Sequence, residues 1–160
     1  SSAKRLRSFE AIMERLGVEI AKPCIGDART VEGLPPVEAD LVLVDPPCTG
    51  SGNFFTVPSA RWRLRSRSID RMADLQYRIL CSAAGRVSAG GRLVYCTCSV
   101  TVDENEGVVN AFLDENPDFA VVEASPRIGE PGLRGLQEAQ RLYPYLHGCN
   151  GFFIAKMTRT

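Results

Sequence analysis

Residues 39–52 read ADLVLVDPPCTGSG, and this stretch decides the expected fold. Its first part, residues 39–44, is an apolar run of the kind found in a strand buried on both faces of a sheet. A loop rich in glycine, proline, serine and threonine follows, from residue 45 to about 67. A second predicted strand, residues 92–96, is followed by the polar residues 97–99. Both strands therefore lead into a loop that carries a cysteine.

The rest of the chain predicts helices that alternate with strands. Helices are expected at 3–16, 68–87 and 101–115, and further strands at 18–25, 120–123 and 151–157. We expect Ser68 to cap the second helix, the Gly90-Gly91 pair to end that unit, and acidic residues to fill the first turn of the third helix. Such alternation implies an open, doubly wound sheet with parallel pairing. Ligands of these sheets bind beyond the carboxyl ends of the strands, which here are the two cysteine loops.

Length and composition limit the possible classes of protein. The chain has 160 residues, 44% of them hydrophobic, which predicts one domain over residues 1–160. No uninterrupted apolar run is long enough to span a bilayer and the N-terminus does not resemble a signal peptide, so we expect no membrane partner and a cytoplasmic location. The 19 basic and 19 acidic residues balance, so any surface that attracts nucleic acid must be local.

The cysteines do not form a metal-binding pattern. Cys96 and Cys98 are separated by one residue, unlike the ligands of a zinc ribbon, and the chain has a single histidine. We therefore expect no metal, and a packed side chain at Cys96. Cys98 and Cys48 leave two strand ends and can face one pocket beside Asp45. The proline pair at 46–47 removes two backbone donors, which leaves carbonyl acceptors suited to a base with an exocyclic amino group.

Several segments in this order resemble the NSUN/RsmB-type (Nop/Sun family) RNA (cytosine-5) methyltransferases. They are DPPCTGSG (45–52), SID with LQ..IL (68–80), GGRLVYCTCS (90–99), ENE (104–106) and GCNGFFIAKM (148–157). The similarity runs from about Asp27 to the C-terminus, and the loop at 54–64 is similar to archaeal members. It implies a Rossmann-like S-adenosylmethionine-dependent methyltransferase fold with a mostly parallel sheet, incomplete at its N-terminus.

The resemblance implies a role for each residue of the two loops. Cys98 matches the nucleophile that attacks cytosine C6 and thereby activates C5, and Cys48 matches the cysteine that helps to release methylated RNA. A protonated Asp45 would hydrogen-bond ring nitrogen N3, and the Pro46 carbonyl would accept the exocyclic amino group. Asp27 matches a contact to the adenosine part of S-adenosylmethionine, and Asp45 is expected to border the same cofactor.

A cluster of arginines around one tryptophan predicts the RNA contact. Five of the 16 arginines fall between Arg61 and Arg71. Arginine guanidinium groups bind phosphates, and an exposed aromatic ring can stack on a splayed base. The residues expected to contact transfer or ribosomal RNA are Arg61, Trp62, Arg63, Arg65 and Arg67.

Two features of this fold are absent from the sequence. A glycine-rich turn after the first strand and an acidic residue after the second normally hold the cofactor, and neither is present. We therefore expect about the first third of the catalytic domain to lie outside this sequence and the chain alone to bind S-adenosylmethionine weakly or not at all. An exposed sheet edge would then favour self-association. Two alternatives stay open: an amino-methyltransferase with an Asp-Pro-Pro motif, and a non-catalytic RNA-binding or scaffold fragment.

Overall fold

The computed structural model of the protein describes residues 3–160, and it describes only the backbone of Ala3, Lys4 and Arg63. The helices are α1 (Ala3–Arg15), α2 (Ser66–Ala84), α3 (Glu106–Glu115) and α4 (Pro144–His147). The strands are β1 (Ala39–Val44), β2 (Val87–Thr97), β3 (Phe119–Val122), β4 (Glu130–Pro131), β5 (Gln140–Leu142) and β6 (Phe152–Arg159). Short 3-10 helices lie at Val31–Gly33, Ser51–Phe55 and Pro58–Arg63.

The described strands form one mixed sheet in the order β1-β2-β6-β5-β4, with β3 also paired to β6. β1 and β2 are parallel, with Val42 opposite Leu93 and Val44 opposite Tyr95. The expected alternation of helices and strands is confirmed, but the expectation of mostly parallel pairing is wrong for residues 3–160. β6 inserts between β2 on one side and β3 and β5 on the other, and it runs antiparallel to all three.

The hydrophobic core lies between the sheet and helices α2 and α3. Alternate residues of β6, Phe153, Ala155 and Met157, are fully buried, as the period of two in a strand requires. They belong to one cluster with Leu80 of α2 and Phe112 of α3. Burying a leucine, phenylalanine or methionine side chain stabilises the fold by about 1.5–3 kcal/mol. This packing fixes the direction of β2, and therefore the position at which Cys98 leaves the sheet.

Some predicted elements differ from the observed ones. Residues 18–25 form no strand, and Ile20 is 93% exposed, because none of the described strands pairs with this segment. Arg65, not Ser68, occupies the N-cap of α2, without a side-chain capping bond. The helix ends at Ala84, and β2 runs on through the glycine pair at 90–91. The predicted strand at 39–44 has the observed bounds of β1, and the other predicted helices and strands are present with shifted ends.

β1 is the end strand of the described sheet, so one of its edges has no neighbouring strand there. Leu41 and Leu43 on this strand are 60% and 66% exposed. Among the helices of residues 3–160, none combines the length and the apolar character needed to cross a membrane.

Candidate active site

Two thiols meet at the carboxyl edge of the parallel strand pair. β1 ends at Val44, directly before the loop that carries Cys48, and β2 ends one residue before Cys98. Because the two strands run in the same direction, both loops leave the sheet at the same edge. The Sγ atoms of Cys48 and Cys98 lie 3.0 Å apart, although 50 residues separate them in sequence. Both side chains are half-buried, so the pair remains open to a small group from outside.

Backbone contacts hold the two loops together. The Gly52 N–H donates to the Cys98 carbonyl over 2.9 Å, and the Gly151 N–H donates to the Gly52 carbonyl over 2.9 Å. A Cβ atom on Gly52 would lie 2.2 Å from the Gly151 carbonyl oxygen and 2.8 Å from that of Cys98. Only glycine permits this approach. The glycines of GSG and CNG therefore bring three chain segments together beneath the thiols.

The surroundings of the thiols favour a proton on Cys48. Burial, followed by the hydrogen bond with Cys98, raises the pKa of the Cys48 thiol to about 12. Cys48 is therefore a neutral thiol near pH 7, and its S–H can donate to the sulfur of Cys98. Cys96 is buried with its Sγ 3.7 Å from the Val44 carbonyl, and burial, with the nearby Asp45 and Cys98 charges, raises its pKa to about 11. The expectation of a packed Cys96 is confirmed.

Asp45 and Pro46, which precede Cys48 in its loop, line a groove along β1. The groove has a volume of about 470 Å³ and aliphatic walls that include Leu34, Val42 and Ile79. Asp45 is exposed and Pro46 is buried. The described residues alone therefore do not form a dry pocket around Asp45.

Asp27 lies outside the lining of this groove, although its neighbour Ala28 belongs to it. Its exposed carboxylate forms a two-point ion pair with Arg29, with Nε–Oδ1 and Nη2–Oδ2 distances of 2.9 and 2.5 Å. The hydrogen bonds from Arg29 lower the pKa of Asp27 to about 2. A ribose hydroxyl that binds this carboxylate would either share it with Arg29 or displace the Arg29 guanidinium.

The motif at 104–106 carries site-building residues that the sequence reasoning missed. The sequence predicts that its acidic residues lie in the first turn of α3 and interact favourably with the helix dipole. Helix α3 begins only at Glu106, however, and all three side chains of the motif are fully buried. Asn105 accepts a hydrogen bond from the Thr97 hydroxyl (2.6 Å) and donates to the Ser99 carbonyl (2.9 Å). The sequence signal that could have identified these residues is an acid-amide-acid triplet that closely follows a loop with a cysteine.

Glu106 forms a buried ion pair with Arg141 of β5. Arg141 Nε lies 2.5 Å from Glu106 Oε1, and Nη2 contacts Oε2. Burial acts to raise the pKa of Glu106, but the hydrogen bonds from Arg141 and from the Leu133 N–H outweigh it and hold that pKa below its usual range. Arg141 also donates to the Val100 carbonyl over 3.1 Å, so the pair supports the segment that follows Cys98.

The arginine cluster lies beside the cleft of Cys48. Arg61 places its guanidinium 4.9 Å from the centre of the Trp62 ring, and Trp62 is 70% exposed. Arg65 and Arg67 are exposed, whereas the side chain of Arg63 lies outside the described part of the structure. A cavity lined by Arg65, Arg67, Ser68 and Arg71 adjoins a second one that contains Cys48 and Thr49, since Ser68 and Arg71 border both. Arg71, which we did not single out, therefore links the cluster to the thiols.

The sequence of these loops matches one protein family. A family model described as 16S rRNA methyltransferase RsmB/F matches residues 1–158. The chain belongs to the RsmB/F family. This confirms the expected resemblance on nearly the whole chain, including both cysteine loops and the buried motif at 104–106.

Relatives of this RsmB/F-family chain include RNA methyltransferases of two kinds. The 25S rRNA (cytosine-C(5))-methyltransferase nop2 of Schizosaccharomyces pombe is 33% identical over 99% of the chain and 28% of its own length. The tRNA (cytosine(72)-C(5))-methyltransferase of Pyrococcus horikoshii is 37% identical over 99% of the chain and 39% of its own length. The chain therefore spans well under half of each relative.

A solved structure supports the same fold. The crystal structure of NSun6 from Pyrococcus horikoshii with SFG superimposes with a TM-score of 0.86 at 37% identity, over 99% of this chain and 39% of that one. The Rossmann-like methyltransferase fold expected from the sequence is confirmed, with antiparallel β6 as part of it.

Proposed function

We propose that this RsmB/F-family chain is the catalytic part of an enzyme that methylates C5 of a cytosine in RNA, with S-adenosylmethionine as methyl donor. The observation that carries the proposal is the contact between Cys48 and Cys98, 3.0 Å apart at the ends of parallel strands, with Asp45 in the same loop as Cys48. Since the chain spans 28% and 39% of the two relatives described above, the activity of the whole protein is part of the proposal.

The groove along β1 suits the methyl donor. Its volume of about 470 Å³ lies within the usual range for small-molecule pockets, and its aliphatic walls suit a purine ring. Asp45, which also lines this groove, would border the bound donor. We propose Asp45 and the groove walls as donor contacts, and Asp27 as a contact once its carboxylate is shared with Arg29. When bound, the donor supplies the methyl group.

Cys98 would begin the reaction. Its thiolate attacks C6 of the cytosine, an S–C6 bond forms, and the electron pair of the C5–C6 double bond moves into the ring toward N3. The protonated Asp45 carboxyl gives its proton to N3, and the exocyclic amino group donates to the Pro46 carbonyl. C5 thereby becomes electron-rich enough to take a methyl group, which an unmodified cytosine is not.

Cys48 would assist release of the product. After methylation, water takes the proton from C5, and the electron pair of that C–H bond restores the C5–C6 double bond. The S–C6 bond breaks with its electron pair on sulfur, and N3 returns its proton to Asp45. Negative charge then returns to Cys98 Sγ. Cys48 stays protonated because burial and the Cys98 contact raise its pKa to about 12, so its S–H can donate to that charge over 3.0 Å.

The RNA would reach the thiols past the arginine cluster. We propose phosphate contacts for Arg61, Arg63, Arg65 and Arg67, and stacking for Trp62, beside the cavity that contains Cys48. Relatives named for transfer RNA and for ribosomal RNA leave both substrates in the proposal. The cytoplasmic location and self-association through the free edge of β1 stay predictions, the latter measurable by sedimentation of the chain.

Trapping with 5-fluorocytosine RNA tests the proposed reaction. Fluorine at C5 cannot leave as a proton does, so the native protein with S-adenosylmethionine should hold the RNA in a covalent complex that survives denaturing electrophoresis. Cys98→Ala should abolish the complex, while Cys48→Ala should keep it. An amino-methyltransferase or a scaffold would form no covalent complex in any variant, and a complex that persists in Cys98→Ala would refute the assignment of the nucleophile.

A further inference from the structure

The Glu104 carboxylate lies directly beneath both cysteine loops. Its side chain is fully buried, in the segment between β2 and α3. Thr49, the residue after Cys48, donates its backbone N–H to Glu104 Oε1 over 2.8 Å and its hydroxyl to Oε2 over 2.5 Å. One carboxylate thus fixes both the backbone and the side chain of the residue next to the first thiol.

The same carboxylate holds the residue after the second thiol. The Ser99 hydroxyl donates to Glu104 Oε2 over 2.7 Å, and the Thr101 hydroxyl donates to it over 3.0 Å. Ser99 also shares a hydrogen bond of 2.9 Å with Ser51 in the first loop. The residue that follows each thiol, Thr49 or Ser99, therefore donates a hydrogen bond to the same oxygen, Glu104 Oε2.

Helix α2 provides the remaining donor to this carboxylate, Gln76. We call the four residues that donate to Glu104, namely Thr49, Gln76, Ser99 and Thr101, the cage. Gln76, fully buried, donates its side-chain amide to Glu104 Oε1 over 3.0 Å and to the Pro47 carbonyl over 2.9 Å. Burial acts to raise the pKa of Glu104, but the hydrogen bonds from Thr49, Ser99 and Gln76 outweigh it, and the pKa lies below its usual range. Glu104 is therefore a buried anion, and the donors that surround it are neutral.

We propose that Glu104 is a positioning residue that sets the distance between the two thiols by holding the residue that follows each of them. The inference rests on the proposed function, because the thiol pair has its role in that reaction. It goes beyond the fold, since the contacts of this carboxylate described above are all with polar groups of the two loops and of Gln76, whereas the hydrophobic core is built from apolar side chains. A positioning role predicts that changes to Glu104 move the thiols even where the protein stays folded.

The chemistry of the cage requires a carboxylate of this length. Glu104→Gln retains one oxygen for the two N–H donors, Thr49 and Gln76, but it turns Oε2 into an NH₂ donor that faces three hydroxyls. The hydroxyls must then accept instead of donate, and because the NH₂ group has two N–H donors for three hydroxyls, at least one of these contacts is lost. Glu104→Asp, one methylene shorter, cannot reach both loops at once.

Cross-linking of the thiols by diamide measures their distance without RNA or methyl donor. The reagent takes two protons and two electrons from Cys48 and Cys98 and becomes a hydrazine, while one S–S bond forms. Exposed Cys24 and Cys149 are changed to Ser beforehand, and peptide masses identify the cross-link. Since the two sulfurs start 3.0 Å apart, Cys48 and Cys98 should cross-link rapidly in the protein that retains Glu104. Failure of the proposed reaction would leave this measurement intact.

Glu104→Gln should lower the cross-linking rate about tenfold or more, because small displacements of paired groups have large effects on their reaction. Val109→Ala, a change in the hydrophobic core that keeps Glu104 and all its hydrogen-bond donors, should cross-link at nearly the parental rate. Equal rates for these two variants would overturn the proposal. If Glu104→Gln fails to fold by circular dichroism, Thr49→Val decides: it removes one hydroxyl from the cage, a slower rate supports positioning, and an unchanged rate overturns it.

Discussion

Cys48 and Cys98 share a hydrogen bond between their sulfur atoms, 3.0 Å long, and only one of the two sulfurs can donate at a time. Because burial and this contact raise the pKa of Cys48 to about 12, the alkylation rate of Cys48 by iodoacetamide should climb with pH without a plateau below about pH 12. In Cys98→Ala the contact is lost, and the pH profile of Cys48 should move to lower pH. Alkylated peptides are quantified by mass spectrometry.

Cys81 supplies an internal control for this profile. Burial raises its pKa as well, but it does not contact Cys98, so its profile should not move in Cys98→Ala. An unchanged Cys48 profile in that variant would mean that the sulfur contact has no influence on where the proton resides.

The close approach of Gly52 to Gly151 predicts a loop-specific defect. In Gly52→Ala the new Cβ would lie 2.2 Å from a backbone oxygen, so the loops must separate. We expect the rate of 5-fluorocytosine adduct formation to fall by about 10- to 100-fold, because misplacement of reacting groups by about 1 Å has effects of this size. Gly85→Ala is the matched control: its Cβ would lie 3.3 Å from a Val31 methyl group, outside the site. Similar adduct rates in both variants would argue against the prediction.

Local pattern predicted the strand ends of the site well. The apolar run at 39–44 predicted the observed bounds of β1. The expectation that this strand is buried on both faces is wrong for the described residues, because Leu41 and Leu43 are exposed on the end strand of the sheet. The segment at 18–25, for which a strand is also predicted, forms none, since strand formation also requires a partner. Sequence pattern reports the preference of a segment, while pairing depends on what lies beside it.

The role of Glu104 could not be predicted from its neighbours in sequence. An acidic residue before a helix is compatible with a helix-dipole role and with a buried acceptor. Its donors Gln76 and Thr49 precede it by 28 and 55 residues, so the choice between the two roles depends on tertiary contacts. The direction of β6 could not be predicted from local sequence either, because the same alternation of apolar residues occurs in parallel and in antiparallel strands.

The buried pair of Glu106 and Arg141 should dominate the charge contribution to stability. Arg141→Ala leaves an unpaired buried carboxylate, so the free energy of unfolding should fall by about 3–5 kcal/mol in urea titrations. Arg78→Ala breaks the exposed pair with Asp74 and should cost about 0.5 kcal/mol. Equal losses for the two variants would contradict the burial argument.

The same pair predicts a pH dependence. The folded-state pKa of Glu106 lies below its unfolded value of about 4.3, so the contribution of the pair is fully present above that pH. It is lost as pH falls through the folded-state pKa, where the carboxylate becomes protonated. Arg141→Ala should therefore flatten the decrease in stability on the acid side of pH 4.3, as measured by urea unfolding at successive pH values.

The arginine cluster predicts how RNA binding depends on salt. The triple change of Arg61, Arg65 and Arg67 to Ala removes three exposed charges beside the Cys48 cavity. For single-stranded RNA, each lost phosphate contact lowers the slope of log K against log salt by about 0.7, so the slope should fall by about 2. Fluorescence anisotropy at successive KCl concentrations measures both the affinity and the slope in the native protein.

A second triple variant separates the effect of net charge on the salt dependence from the effect of where the charges lie. Arg78, Arg92 and Arg134, exposed residues outside the cluster, change to Ala with the same loss of charge. This variant should retain most of the slope. Trp62→Ala should weaken binding at every salt concentration and leave the slope unchanged, because stacking releases no counterions. If both triple variants lost the same slope, RNA would respond to the total charge of the chain, and the cluster would have no special part in leading RNA to the thiols.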